Sequence, residues 1–254
     1  MGRSIDLNAD VGEGFGPWTM GDDAALVPLV TSVNVACGFH AGDPLTIRRT
    51  VRLALETGAA VGAHPGYPDL AGFGRRAMDL GPEEVEAAVL YQVAAVDGIV
   101  RAEGGRLAHV KPHGALYHRA AADPVIAGAL IAAIGRLDDR LRIVAPPRSA
   151  LLAAAVAAGL RTIVEAFADR VYEPDGHLRP RSLPGALHAG PDEAAAQAVA
   201  IAREGIVVAS DGSTLALRAD TLCVHGDTPG AAAIASAVRD ALRDAGIAVR
   251  APDA

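Results

Sequence analysis

The chain has 254 residues, of which 51% are apolar, and its formal charge at neutral pH is −7. This length is enough for one large domain with a substantial core, and we expect residues 1–254 to form a single domain. The acidic balance argues against general binding of nucleic acid or anionic membrane, although it leaves room for local anion sites.

Short β-type runs alternate with longer helical segments along the whole chain. Several of the runs lack the polar alternation of a half-exposed strand, which is typical of parallel strands buried on both faces. The predicted strands are Ser4–Asn8, Ser32–Ala36, Ala59–Ala63, Leu107–Val110, Leu141–Ala145, Thr162–Ala166, Ile206–Ala209 and Thr221–Val224. Alternating β and α segments predict a parallel sheet, and about seven or eight such units predict a closed or nearly closed barrel.

The connecting segments carry helix and loop signals. Asp43 and Asp227 stand just ahead of Pro44 and Pro229, so each is predicted to cap a helix whose first turn contains proline. Residues 169–189 are rich in Arg, Pro and Gly and predict a long loop after a strand. A doubly wound sheet is the structural alternative, but polar residues follow many different strands here, which favours the barrel.

Acids, bases and one amine follow the predicted strands. The carboxyl ends of barrel strands share one face, so these side chains are expected to converge there. They include Asn8, Asp10, Glu13, His40, Asp43, His64, Lys111, His113, Glu165, Asp169, Arg170 and His225. Such a set could hold a metal ion, bind a polar substrate and move protons. Two simpler interpretations stay open: the histidines could be structural, and Glu165 and Asp169 could pair with arginines.

Lys111 is the single lysine in a chain that otherwise uses arginine for its permanent positive charges. It follows the buried run Leu107–Val110 and precedes Pro112, which places it at the predicted barrel mouth. A compact ammonium group can approach an oxyanion or phosphate where a planar guanidinium cannot. The sequence therefore predicts that Lys111 is a site residue.

Common nucleotide-binding and catalytic motifs are missing: the sequence has no GxxxxGK[ST], GxGxxG, GxSxG or HExxH.

Six long motifs together resemble the LamB/YcsF family. In chain order they are LNADVGEGFGPW, NVACGFHAGDP, GAHPGYPDLAGFGRR, HVKPHGALYH, EAFADRVYEPDGHLRPRSLPGA and CVHGDTPGA, and the resemblance covers about residues 4–246. It implies a distorted seven-stranded parallel β/α barrel like that of polysaccharide deacetylases, so one predicted strand would be peripheral. It also implies ATP-dependent hydrolysis of the lactam of 5-oxo-L-proline to L-glutamate, together with two partner subunits, B and C.

The resemblance allows roles to be assigned to the strand-end residues. Asp10 or Glu13 would be the general base, and Lys111 would bind phosphate or the oxyanion. Arg170 or Arg181 would hold the substrate carboxylate in a bidentate fork. Further candidates are His113 for catalysis and Asn8, His40, Asp43, Glu165 and His225 for substrate binding.

The deacetylase-like barrel also raises the question of a metal. Those enzymes are similar in placing an aspartate after the first strand and histidines after later ones, and Asp10, His64 and His113 occupy comparable places. Mixed nitrogen and oxygen ligands would suit Zn²⁺ or another divalent ion. Two alternative functions remain: a stand-alone metal-dependent amidase or deacetylase, and a non-catalytic substrate-binding subunit whose partners do the chemistry.

The compartment is predicted from what the sequence lacks. Cys37 and Cys223 are too few for a disulfide framework, and the first residues show no basic stretch followed by an apolar one. No apolar segment approaches the roughly 20 residues that span a bilayer. We therefore expect a cytoplasmic protein.

Overall fold

The computed structural model describes residues 3–252, and within that range it contains ten strands, eight α-helices and one 3-10 helix (Val27–Leu29). The strands are β1 (Ser4–Val11), β2 (Ser32–Ala36), β3 (Ala60–His64), β4 (Leu107–Val110), β5 (Arg142–Ala145), β6 (Thr162–Phe167), β7 (Ile206–Val208), β8 (Thr214–Ala216), β9 (Thr221–His225) and β10 (Ala248–Val249). The helices are α1 (Asp23–Leu26), α2 (Pro44–Thr57), α3 (Pro82–Ala102), α4 (Gly114–Ala122), α5 (Pro124–Leu137), α6 (Ala150–Ala157), α7 (Pro191–Glu204) and α8 (Ala231–Asp244).

Seven parallel strands close into a barrel. Strands β1 to β6 pair in sequence order, and β9 joins β6 to β1 and completes the circle. The predicted parallel barrel is therefore confirmed. The predicted strand Ile206–Ala209 corresponds to β7. It is peripheral to the barrel, because it pairs with β8 in a separate antiparallel hairpin. The short β10 lies outside the barrel beside the start of β1.

Burial on both faces explains the apolar strand sequences. Every residue of β2 and of β9 is buried, since one face points into the barrel and the other packs against helices. On α3 one stripe of valines faces the barrel: Val85, Val89, Val93, Val96 and Val100, each at most 1% exposed. Burial of each such side chain stabilises the fold by about 1.5–3 kcal/mol relative to its exposure.

The two predicted helix caps have different outcomes. Asp43 caps α2 as predicted, with its side chain accepting from the backbone N–H groups of Leu45 and Thr46. The prediction for Asp227 is wrong, because α8 begins at Ala231 and its N-cap is Gly230 in a left-handed conformation. The carboxylate of Asp227 pairs with arginine side chains and leaves the helix end to glycine.

No helix within residues 3–252 is, by itself, long and apolar enough to cross a membrane. The bent pair of α4 and α5, with an angle of 115° between the two helices, passes the same test of length and composition when taken together.

Candidate functional site

A cavity of about 350 Å³ opens at the carboxyl ends of the barrel strands. Its buried side is formed by strand-end residues, namely Asp10, His64, Lys111, His113 and His225. Three arginines also line it: Arg75 and Arg181 are partly exposed, whereas Arg170 is buried. The convergence predicted from the strand ends is thus seen for these residues.

Lys111 places its ammonium group between two buried carboxylates. Its Nζ lies 3.0 Å from Oδ1 of Asp10 and 2.8 Å from Oε1 of Glu165, and the side chain is almost fully buried. The oxygen Oδ1 of Asn8 and the sulfur of Cys223 complete its surroundings at 3.4 and 3.0 Å. Burial alone would lower the pKa of Lys111, but the acidic neighbours, Asp10 first, outweigh it and raise that pKa well above its usual value.

Asp10 is held in the ionised form. Burial would raise the pKa of its carboxyl group, but the charges of His64 and Lys111 outweigh burial and keep the pKa well below its usual value. Its Oδ1 also accepts a hydrogen bond of 2.8 Å from Nδ2 of Asn34. Asn34, whose amide links Asp10 to Asn8 and His109, was missed in the sequence, although a polar residue inside the buried run SVNVA is a signal for such a role.

His64 and His113 face each other through one ring nitrogen each, Nε2 of His64 and Nδ1 of His113. The Nδ1 of His64 donates to the carbonyl of Lys111 at 2.7 Å, and the Nε2 of His113 donates to the carbonyl of Phe73 at 2.8 Å. In the neutral rings the remaining nitrogens are therefore acceptors, and they lie 3.0 Å apart. Two acceptors at this distance require a proton or a cation between them.

The surroundings of this position would also suit a cation. Burial first, and then the neighbouring imidazoles of His40 and His64, lower the pKa of His113 well below its usual value. Oδ2 of Asp10 is 3.4 Å from Nε2 of His64, and Oε1 of Glu13 is 4.0 Å from Nδ1 of His113. One ligand atom from each of these four buried residues lies within 4.8 Å of the others.

Glu13 adds a second carboxylate to this group. Burial first, then the charges of Asp10 and Asp227, raise the pKa of Glu13 well above its usual value. A positive ion beside the carboxylate would relieve that unfavourable charge. Asp10, Glu13, His64 and His113 therefore form a buried group that could hold a divalent metal ion, and their mixed nitrogen and oxygen donors suit zinc and similar ions.

His225, at the end of β9, is oriented by Asp169. Its Nδ1 lies 3.1 and 3.0 Å from the two carboxylate oxygens of Asp169, and its ring stacks on Phe167. With Nδ1–H donating to the carboxylate, the lone pair of a neutral His225 is on Nε2. Asp169 thus pairs with a histidine, and Glu165 with Lys111, in place of the arginine partners that the sequence left open.

The three arginines of the cavity have two different functions. Arg170 donates from Nε to the carbonyl of Ala186 and from Nη2 to the carbonyl of Arg179, so it fastens the long loop after β6. Arg75, which no sequence pattern singled out, and Arg181 both pair with Asp227, at 2.8 and 3.7 Å.

Four predicted substrate-binding residues do not line this cavity. Asn8 and Glu165 lie deeper in the barrel, where Glu165 accepts from the hydroxyl of Tyr117 at 2.9 Å. His40 is stacked on His113, with ring centroids 3.9 Å apart. Asp43 caps α2.

A closed parallel barrel with buried acids, imidazoles and an amine beneath a cavity at its strand ends defines the class of β/α-barrel proteins with an enzyme-type site. Within that class, the chain belongs to the LamB/YcsF family, whose sequence profile matches residues 5–254.

Individual relatives agree with this assignment. The chain is 54% identical to the 5-oxoprolinase A subunit of Nocardia farcinica, over 97% of this chain and 98% of that one. It is similar to the crystal structure of a lactam utilization protein from Thermus thermophilus, with a TM-score of 0.93 and 51% identity over 98% and 100% of the two chains. The catalytic domain of a peptidoglycan N-acetylglucosamine deacetylase from Eubacterium rectale shares the fold at a TM-score of 0.52 and 9% identity, covering 100% of this chain and 90% of that one.

Proposed function

We propose that this chain is the A subunit of an ATP-dependent 5-oxoprolinase, which hydrolyses 5-oxo-L-proline to L-glutamate in a complex with the B and C subunits. The observation that carries the proposal is the 54% identity, over nearly the full length of both chains, to a protein that bears the name of the 5-oxoprolinase A subunit. The cavity with arginines on one side and acids and imidazoles on the other supports it, because the substrate is a small anionic lactam.

The reaction needs both activation and water. A five-membered lactam is a resonance-stabilised amide, and transfer of the γ-phosphoryl group of ATP to its oxygen makes C5 electrophilic. One water then adds to C5, and the ring C–N bond breaks as the nitrogen takes a proton. A second water releases phosphate from the resulting acyl phosphate and leaves L-glutamate. ATP is thus a cosubstrate of the complex and leaves as ADP.

Asp10 and Glu13 remain the two predicted general bases. Burial and neighbouring acids raise the pKa of Glu13, the charges of His64 and Lys111 lower that of Asp10, and only Asp10 of the two lines the cavity. Lys111, buried between Asp10 and Glu165, supplies positive charge beneath the cavity for a developing oxyanion or phosphate.

His113 and His225 complete the proposed set. His113 faces His64 from β3, and His225 is fixed by Asp169 so that its Nε2 can accept a hydrogen bond from substrate or, once protonated, give a proton to the ring nitrogen. Arg181 is a better candidate than Arg170 for the substrate carboxylate, because the guanidinium of Arg170 already binds two carbonyls of its own loop.

A divalent metal ion would be held by Asp10, Glu13, His64 and His113. When bound there, it would polarise a substrate oxygen or a water molecule as a Lewis acid. Asp10 and Glu13 would then act as ligands first, so bound metal has to be measured in any variant of either residue. The same group is the observation that favours the second candidate, a stand-alone metal-dependent amidase or deacetylase.

Reconstitution tests the need for partners. The purified chain is assayed for glutamate release from 5-oxo-L-proline and ATP, first by itself and then with the B and C subunits. We expect negligible release by the isolated chain and ATP-dependent release by the complex. Robust turnover by the isolated chain would contradict the need for partners, and no turnover by the complex would reject the proposed reaction.

The same assays separate the other two candidates. Amide hydrolysis by the isolated chain that is lost with a chelator would favour the stand-alone amidase or deacetylase. A complex that keeps full activity when Glu13 and Asp10 are replaced would indicate a non-catalytic, substrate-binding subunit.

A further inference from the structure

Two arginines from separate loops meet on one acid at the exposed side of the cavity. Arg75 lies between β3 and α3, and Arg181 lies in the long loop after β6. Nη2 of Arg75 and Nη1 of Arg181 are 2.8 and 3.7 Å from the same oxygen, Oδ2 of Asp227. Asp227 does not cap the next helix, because Gly230 does. The carboxylate is therefore placed for the two arginines.

This group carries more positive than negative charge. Two guanidinium groups share one carboxylate, which leaves a net charge of one positive unit on Arg75, Arg181 and Asp227. Asp169 and Arg170 also interact electrostatically with Arg181, but their opposite charges cancel, so the wider group keeps the same net charge. Surplus charge beside a cavity attracts an anion.

One donor of the group has no acceptor among the described residues. Nη2 of Arg181 is buried and makes no hydrogen bond within residues 3–252. A buried donor without a partner costs about 1–3 kcal/mol, and more for charged groups. A ligand that accepts a hydrogen bond from this nitrogen would remove that cost. Arg75 is already fixed in place, because its guanidinium carbon lies 4.8 Å from the centre of the Phe73 ring.

We propose that Arg75 and Arg181 form a carboxylate clamp, in which Asp227 occupies the place of the anion until substrate binds. The identity of that substrate as a lactam carboxylate rests on the proposed function above. The α-carboxylate of the lactam then competes with Asp227 for the two guanidinium groups and accepts a hydrogen bond from Nη2 of Arg181. Guanidinium groups bind carboxylates through such paired N–H groups. Arg75 is then a specificity-determining residue, and Asp227 sets the affinity of the clamp by competing with the ligand.

Binding measurements test the clamp independently of turnover. Isothermal titration calorimetry compares 5-oxo-L-proline with 2-pyrrolidinone, the same ring without the carboxylate. The titrations use the isolated chain and the complex with the B and C subunits, without ATP. We expect wild type to bind 5-oxo-L-proline at least about tenfold more tightly, since the clamp recognises charge. Wild type without this preference would overturn the proposal.

The variants make opposite predictions. Arg75→Gln should weaken binding of 5-oxo-L-proline about tenfold and leave 2-pyrrolidinone unchanged, whereas Asp227→Asn should tighten binding of 5-oxo-L-proline severalfold because the competing acid is gone. Arg75→Lys, which keeps the charge and loses the fork, should fall between wild type and Arg75→Gln. Arg101→Gln, at an exposed position of α3, is the control and should change neither ligand.

The outcomes separate the clamp from the proposed reaction. Unchanged affinity in Arg75→Gln, or unchanged or weaker affinity in Asp227→Asn, would show that the cluster is only structural. If Asp227→Asn does not fold, as judged by circular dichroism, the affinities of Arg75→Gln and Arg75→Lys decide between a clamp and a structural role.

In the complex, Arg75→Gln should raise KM more than it lowers kcat, because the clamp contacts the substrate away from the reacting carbon. Failure of the wild-type complex to turn over 5-oxo-L-proline would count against the proposed hydrolysis. The calorimetric titrations would still show whether Arg75 and Arg181 bind the carboxylate.

Discussion

Replacing Lys111 by methionine should strongly destabilise the barrel. Methionine is similar in length and apolar, so the change removes the charge with little change in packing. It leaves the carboxylates of Asp10 and Glu165, which lie 3.0 and 2.8 Å from the ammonium, without their shared cation. Both acids are buried, so water cannot replace the lost charge.

The expected loss is about 3–5 kcal/mol of the free energy of unfolding, which is the usual cost of removing one partner from a buried ion pair. That is a large part of the roughly 5–15 kcal/mol by which proteins are stable. The loss should depend on pH. The lowered pKa of Asp10 stabilises the wild type above the unfolded value of 3.8, and this contribution disappears as the pH falls through the folded pKa. The gap between variant and wild type should therefore be widest at neutral pH and narrow below about pH 4.

Urea unfolding followed by circular dichroism measures this effect. We expect the midpoint of Lys111→Met at pH 7 to fall by roughly 1–2 M urea. The double variant Lys111→Met/Glu165→Gln should regain part of the loss, because only one buried carboxylate then lacks a counter-charge. Arg101→Met, at an exposed position, should stay within about 0.5 kcal/mol of wild type. A Lys111→Met protein within about 1 kcal/mol of wild type would refute the idea that the ammonium holds the two acids in place.

Three further predictions concern single residues. Lys111→Arg keeps the charge but brings a larger planar group, and it should lower turnover of the complex at least about tenfold, or roughly 1.4 kcal/mol of transition-state stabilisation; wild-type turnover would reject a need for lysine. Asp10→Asn should lower both turnover of the complex and zinc content measured by plasma mass spectrometry, and a variant that keeps both would show that Asp10 is neither ligand nor base. Asp43→Ala should cost about 1 kcal/mol at pH 7 through loss of the cap. Because the pKa of Asp43 is lowered to about 2, mainly by the hydrogen bond from Thr46, that cost should shrink in urea unfolding at about pH 3, and a cost independent of pH would contradict it.

The barrel could be predicted because its strands are buried on both faces. Continuous apolar runs mark such strands, and Ser32–Ala36 and Leu107–Val110 coincide with β2 and β4. The hairpin partner β8 and the terminal β10 were missed, since strands of three and two residues are too short to show a recognisable pattern of apolar residues. Their positions depend on tertiary contacts.

The site was predictable only where it follows the strands. Asp10 and Lys111 could be selected because the end of a barrel strand fixes their location. Arg75 could not, because it lies in an irregular loop and its partner Asp227 is distant in the sequence. The same contact explains the wrong helix cap: two residues before Pro229, an aspartate has the local pattern of a cap, and only the fold shows that two arginines bind it.

The pairing of β9 with β1 has a consequence for how the protein folds. The hydrogen bond between Thr221 and Asp6 joins residues 215 positions apart, and the same two strands bring His225 opposite Asp10. Closing so long a loop costs on the order of 5 kcal/mol of chain entropy, and contacts this distant slow folding. During synthesis, β1 must wait with an open edge until nearly the whole chain has emerged. Ring closure is then the event that brings His225 beside Asp10 and completes the cluster, so ligand binding during refolding would report the moment at which the barrel closes.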